Sequence, residues 1–594
     1  MKEKSVAISR TRFSIARLRA ISVATLMLVF LAGAGVASGQ TSPHLLFTDI
    51  ITGANSGGEN GNGVYITIYG KNFGAAQGSS TVTVGGAAVV QYKIWGSHNG
   101  INPALDKVVV QIGPGNSTGN IVMTVNGTQS NPIPFTVCSG HIYFVSPGGS
   151  DSNNGSFASP WASTPHARTS MAAGDTVYLR AGTYTASDND SAAFFCNNSC
   201  TGTATAYQNF LGYPGETALI TGLAHGVFLW GGSSSSFTTF GELTVRSTDY
   251  GITCEDGPGG PCNNWRIVGN DVRTSGAQSV GIDFETSVNN LIIYGNESSL
   301  NCQGNSSCTF DARAYSVYVG GYGTQTNVDI GWNALHDNPF GKGVQIYGHT
   351  ATDTIQGLRI HDNAIYNNAM VGINLGGCDG GCVEFVRDAQ VYNNLFWNNE
   401  STASTGHKQF GDLEIYSTET AIGTVQVYNN TFYKTAPSGN GFQAGAPITF
   451  ANTGPHAATL ANNIFYAADG APCYVYFDDS TAPFAKNVIF SKNLYFNAGP
   501  GPTGCKYGNG SFALNGDAGG VNADPKLLNP SSNDFHLTTG SPAIDAGVTT
   551  PVTIDYDGNS RPQGSAYYIG AYEFLSGSAP VRPAPPTNLS GVVH

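Results

Sequence analysis

The stretch "LRIHDNAIYNNAMVGINLGG", residues 358–377, sets alternating apolar positions before Asn363, an apolar pair after it, and a second apolar run closed by Gly376 and Gly377. The same grammar returns at "WRIVGNDV", "LIIYGNES", "VDIGWNAL", "AQVYNNLF", "VQVYNNTF", "ATLANNIF" and "VIFSKNLY". Alignment puts Asn270, Asn296, Asn333, Asn363, Asn394, Asn430, Asn463 and Asn493 at one position, 26 to 37 residues apart. Self-similarity on that period marks a stack of units that each bury an apolar face on their neighbours. In coils stacked about 4.8 Å apart, each Asn side chain can hydrogen-bond the next turn's backbone, so the row is expected to be structural.

Charged residues make up 11% of the chain, against about 25% in ordinary globular proteins. Gly, Asn, Ser and Thr are abundant, which suits strands joined by tight turns and not long helices. The first residues place Lys2, Lys4, Arg10, Arg12, Arg17 and Arg19 before "ISVATLMLVFLAGAGVA". This is the layout of a secretory signal peptide spanning 1–39, cleaved near Gly39, and the apolar run is short for a bilayer span. Without residues 1–39 the chain keeps 20 basic and 38 acidic residues, a net charge of -18. That charge excludes nucleic acid as a partner, and no membrane span is expected after cleavage.

The cysteines fall into the pairs Cys196/Cys200, Cys254/Cys262, Cys302/Cys308, Cys378/Cys382 and Cys473/Cys505, with Cys138 left over. In an exported chain they read as loop-closing disulfides; the spacings do not match a zinc site. A secreted or cell-surface monomer is expected.

Residues 44–137 alternate in short runs such as "GVYITIYG", "KVVVQIG" and "NIVMTVNG", the pattern of a small β-sandwich. The stretch "VYITIYGKNFGAAQGSSTVTVGG" resembles the immunoglobulin-like IPT/TIG family, whose modules serve as spacers, anchors and neighbours of carbohydrate-binding domains. After Cys138, "IYFVSPGGSDSNNGSFASPWASTPHA" and "MAAGDTVYLRAGTYT" resemble the N-terminal cap of secreted right-handed parallel β-helix proteins of the pectate-lyase-like superfamily. With the Asn repeats that resemblance covers 140–575. It implies an all-β chain, a right-handed parallel β-helix preceded by a small sandwich. "ADPKLLNPSSNDFHLTTGSPAIDAG" and "IDYDGNSRPQGSAYYIGAYEF" resemble the closing segment of bacterial β-helices, which makes Asp524, Asp545, Asp555 and Asp557 turn and cap residues. Residues 577–594 form a Pro-rich tail.

The second strand of each coil, as in "YGITCED", "VGIDFET", "YSVYVGG", "KGVQIYG", "VGINLGG", "GDLEIYS" and "APITFAN", sends alternate side chains to opposite faces. With Ile252, Ile282, Val317, Val344, Ile373, Leu413 and Ile448 inward, one outward column reads Thr253, Asp283, Tyr318, Gln345, Asn374, Glu414, Thr449. A second reads Glu255, Glu285, Gly320, Tyr347, Gly376, Tyr416, Ala451. Carboxylates, amides and tyrosines along such a groove suit an extended, uronate-containing polysaccharide, with Tyr318, Gln345, Tyr347, Asn374 and Tyr416 as its contacts.

Asp283 and Glu285 stand two apart on one strand, about 6.7 Å at the usual rise, and Glu255 lies one coil below. That separation suits an inverting glycosidase's acid and base, and the three carboxylates equally suit a Ca²⁺ site holding a uronate. A lyase instead needs a base for the proton α to the uronate carboxylate. Basic candidates near the groove are Lys342, His349, His336, Arg387, His407 and Lys408. The resemblance to polysaccharide lyases implies a Lys base where this chain has Asn374, and a Ca²⁺-binding Asp where it has Gln345. The expected function is a polysaccharide lyase or glycoside hydrolase using acid-base groups among Asp283, Glu285, Glu414, Lys342 and His349. A non-catalytic glycan-binding surface protein and a uronate epimerase are the alternatives.

Overall fold

The computed structural model describes residues 42–96, 104–230, 235–255, 262–277, 279–309, 313–378, 385–400, 411–416, 424–435, 446–451, 457–469, 471, 473–477, 488–506, 510–513 and 516–575. The expected signal peptide and Pro-rich tail, His407, Lys408 and the side chain of Tyr416 lie outside the described residues.

Three long, mainly parallel sheets of 13, 12 and 12 strands build the part after Cys138, each coil giving one strand to each sheet. It is a parallel β-helix. Ile252 pairs with Ile282, Ile282 with Val317, Val317 with Val344, Val344 with Ile373, and Ile373 with Leu413 along the third sheet. All six are buried in one continuous core, so the inward set follows the alternation in the sequence. At the N-terminal end the helix Thr164–Ser170, capped by the Ser163 side chain, puts Ala167 into that core beside Trp161.

The Asn row forms a buried ladder. Asn363 Oδ1 accepts from the backbone N–H and Nδ2 of Asn333, both at 2.9 Å, and Asn363 Nδ2 donates to Ile330 O. This pattern repeats from Asn270 to Asn493, where Asp517 Oδ2 takes over as acceptor. An Asp ends the row because a carboxylate accepts and has no amide proton to pass on. A second ladder, Asn301, Asn338, Asn368 and Asn399, closes on Asp412. Its members stand five residues after first-ladder asparagines, a recurrence visible at "NALHDN" and "NAIYNN".

Residues 44–137 form two sheets facing one another, four strands ordered His44–Thr48, Tyr65–Lys71, Asp106–Gln111, Gln91–Gly96, and six strands centred on Gly119–Val125. The sandwich packs directly on the coils. Val177 and Leu179 point into the coil core, while Tyr178 between them joins the sandwich core. Arg266 Nη2 donates to Thr48 O at 2.6 Å, and Tyr65 N donates to Tyr178 Oη at 2.8 Å. The outer face of the first sheet is thus the sandwich's docking face.

The closing segment does not sit on the end of the stack alone. Asn462 exchanges hydrogen bonds with Val548, Asn393 donates to Ile554 O, and Asp557 pairs with Lys71 of the sandwich at 3.4 Å. It runs as a strap back along the coils to the sandwich. Asp555 accepts from the backbone of Asp557 and Asn559, Asp524 from Lys526 and Asp545 from Ala566, which are turn roles.

Cys196–Cys200, Cys254–Cys262, Cys302–Cys308 and Cys473–Cys505 are bonded, Cys138 is free, and Cys378 is bonded while Cys382 lies outside the described residues. No helix among the described residues is long and apolar enough to cross a membrane.

Candidate active site

The register of the first outward column is as its alternation requires: Thr253, Asp283, Tyr318, Gln345, Asn374, Glu414 and Thr449 pair in that order. Its exposure is not. All seven are buried, a correction to the reading of an open groove. They lie on the face turned away from the coil core, and around Tyr318 further side chains of that face lie over them. Arg313 lies over the Tyr318 ring at 5.3 Å, and Tyr315 and Tyr318 form a separate apolar cluster flanked by Tyr250 and Tyr347. The second column is broken. Glu255 pairs with Glu285 and Gly320 with Tyr347, but a register shift after Ile346 places Gly348 opposite Cys378, so Gly376 does not continue it.

Around the Asp283 strand the titratable groups converge. Glu285 forms an ion pair with Arg313, and its Oε2 lies 3.2 Å from His349 Nε2, which is 3.3 Å from Tyr318 Oη. Asp283 is wholly buried; Thr253 Oγ1 donates to its Oδ2 at 3.1 Å, and its Oδ1 has no hydrogen-bond partner. Burial pushes the Asp283 carboxyl up to about 7, and the Glu255 charge adds to that, against the opposing pull of Arg313 and of the Thr253 hydrogen bond. The two buried carboxyl groups on this strand thus differ in their partners, Asp283 accepting from the Thr253 hydroxyl and Glu285 ion-paired with Arg313.

Sequence reasoning missed the residues that hold this cluster. Arg313 comes from the loop before Tyr315–Gly321, where no period singles it out. Asp353 accepts from the backbone N–H of His349 at 2.8 Å, of Thr350 at 2.6 Å and of Gly323 at 2.7 Å, fixing the turn that aims the His349 ring. Gly321, at φ +74°, passes so close to Glu285 that a Cβ would come within 2.8 Å of its backbone. Only a glycine fits there.

The other expected residues form a second group. Lys342 Nζ donates to Gln345 Oε1 at 2.9 Å and lies 5.1 Å from the Tyr315 ring; Asn374 Nδ2 donates to Glu414 Oε2 at 2.5 Å. Glu414 is four pairings from Asp283, about 19 Å at the usual strand spacing, too far to act on the same bond. His336 stacks on Tyr366 and pairs with Asp337 on the second sheet, and Arg387 is exposed beside the Ile355–Val386 bridge; neither joins the cluster.

Two of the three expected Ca²⁺ ligands already have partners. Glu285 is taken by Arg313 and His349, and Asp283 by Thr253. Among the described residues no group of three or more His, Cys, Asp or Glu side chains is arranged to hold a metal.

Comparison with known proteins assigns residues 50–137 to the IPT/TIG domain family. No curated protein matches the chain. Among solved structures the chain is similar to pectate lyase Pel9A, at 16% identity over 73% of this chain and 96% of that one, with a TM-score of 0.41. A rhamnogalacturonan lyase matches at 16% identity over 59% and 87%, TM-score 0.39. The family 28 exopolygalacturonase of Yersinia enterocolitica matches at 11% over 77% and 92%, TM-score 0.31. The fold assignment rests on the strand pairing, and the chemistry of the site on its own geometry.

Proposed function

We propose that the chain is an exported polysaccharide hydrolase working at Asp283 and Glu285. The state of Asp283 carries this reading: a carboxyl group desolvated enough to keep its proton near neutral pH, with one oxygen unpartnered. Such a group is a general acid. In the reaction, Asp283 gives its proton to the glycosidic oxygen as the bond to the anomeric carbon breaks. Water attacks that carbon from the other side and passes its proton to Glu285, about 6.7 Å along the strand. His349 orients the Glu285 carboxylate, which Arg313 pairs with until substrate binds. Substrate reaches Asp283 by displacing Arg313, whose side chain is 30% exposed. The disulfides fit an exported chain.

The test is incubation with a panel of acidic and neutral polysaccharides, following reducing ends and ultraviolet absorbance together. New reducing ends without absorbance, abolished in Asp283→Asn and in Glu285→Gln, is the expected result. Absorbance rising with reducing ends means elimination and removes the hydrolase assignment. The complete burial of Asp283 favours a second reading, glycan binding without cleavage; retention on an immobilised polymer with neither signal is its outcome.

A further inference from the structure

The charge of the polymer can be argued from the same face, and the argument rests on the reading that this face takes a polysaccharide. We propose that the polymer bound is uncharged, its hydroxyl groups hydrogen-bonding the amide row that continues from Asp283. Among the described side chains on the outer side of the third sheet, the carboxylates of Glu255, Glu285 and Glu414, beside the protonated Asp283, outnumber the cations Arg313 and Lys342. Both cations are engaged, Arg313 by Glu285 and Lys342 by Gln345 and the Tyr315 ring. A uronate chain would therefore set carboxylates against carboxylates in a desolvated setting, where like charges repel strongly. A bridging cation would relieve that repulsion, but Glu285 is already paired with Arg313 and His349, and Glu414 accepts from Asn374.

What the face does offer is an acceptor without a donor. Asn374 is 4% exposed, and its Oδ1 has no hydrogen-bond partner. Its orientation is set by Glu414, whose carboxylate can only accept and so draws Nδ2 towards itself. The Oδ1 left over needs a donor, which a sugar hydroxyl supplies. Asp283 Oδ1 is unpartnered in the same column, three pairings away. A chain of several sugars lying across the strands reaches both. Tyr322, 36% exposed and 5.2 Å from the His349 ring, provides a stacking face at the edge.

The test uses polymers matched in backbone and different in charge: polygalacturonate with its full methyl ester, and carboxymethylcellulose with hydroxyethylcellulose. Retention of the whole chain is measured by affinity electrophoresis, and cleavage by reducing ends. The expected result is retention at least about tenfold stronger on a neutral member, unchanged between about 0.05 M and 0.5 M NaCl, and about tenfold weaker in Asn374→Leu. The polymer comparison on the parent protein stands whether or not that variant folds. Preference for the charged member, weakening with salt, overturns the inference and leaves the polysaccharide reading intact. Neither retention nor cleavage in either pair overturns both.

Discussion

At the scale of single residues, Asp283 has the most to say about pH. Burial raises its carboxyl to about 7 in the folded chain, against 3.8 for the ordinary group. Between those values the folded chain holds a proton that the unfolded chain has released, so stability falls as pH rises through that window. Above it the buried charge costs on the order of a few kcal/mol. Asp283→Asn keeps the shape and removes the charge. Thermal melts are expected to show the variant more stable than the parent at pH 8 and close to it at pH 4. Asp49 and Asp412 are also raised to about 7, so only part of the parent's slope disappears. An identical slope in the variant means that Asp283 is ionised without penalty and is no general acid. Hydrolysis has the same sign: it is expected to fall as pH rises past about 7, where the acid loses its proton. The Asp283–Glu285 pair was legible from two-residue spacing. Arg313 and Asp353 were not, because a loop residue is placed by the partner it finds and carries no periodic mark.

At the scale of elements, the Asn ladder is the joint between coils. Removing Asn363 in Asn363→Ala strips the acceptor from both the backbone N–H and the amide of Asn333, and leaves Ile330 O without its donor. Buried orphans of this kind cost about 1–3 kcal/mol each, so a loss of roughly 3–5 kcal/mol is expected from denaturant melts. Asn398→Ala, at an exposed left-handed position whose amide reaches only Asn367, should cost no more than about 1 kcal/mol. Equal losses at the two sites would refute the ladder as the main inter-coil bond. The ladder's place was readable because one turn recurs at a fixed point in each coil. Its finer pattern, Oδ1 taking both a backbone and a side-chain donor, required the coil spacing itself.

At the scale of the whole molecule, the sandwich, the coils and the strap hold one another. Phe47 packs against Tyr294 and Trp332 of the coils, and Gly295, at φ +65°, leaves room for the Phe47 ring, which a Cβ would meet at 2.8 Å. The expected consequence is a single calorimetric transition for residues 42–575 and resistance to proteolysis around Cys138. In Gly295→Val, strained at that backbone angle and clashing with Phe47, the transition should split or broaden. Two well-separated transitions in the parent would show the sandwich to be an independent module. By itself the sequence determined the repeat, the Asn row, the disulfide pairs described and the inward set of the third sheet. Each of these follows from local spacing, since a strand has only two faces and a stacked coil can bury only one. The tertiary structure alone decided that the outward column is covered, that Glu285 beside it pairs with Arg313 and His349, and that the sandwich is fused to the first sheet. Those outcomes depend on which distant surfaces meet and exclude water, and no period along the chain encodes such a meeting.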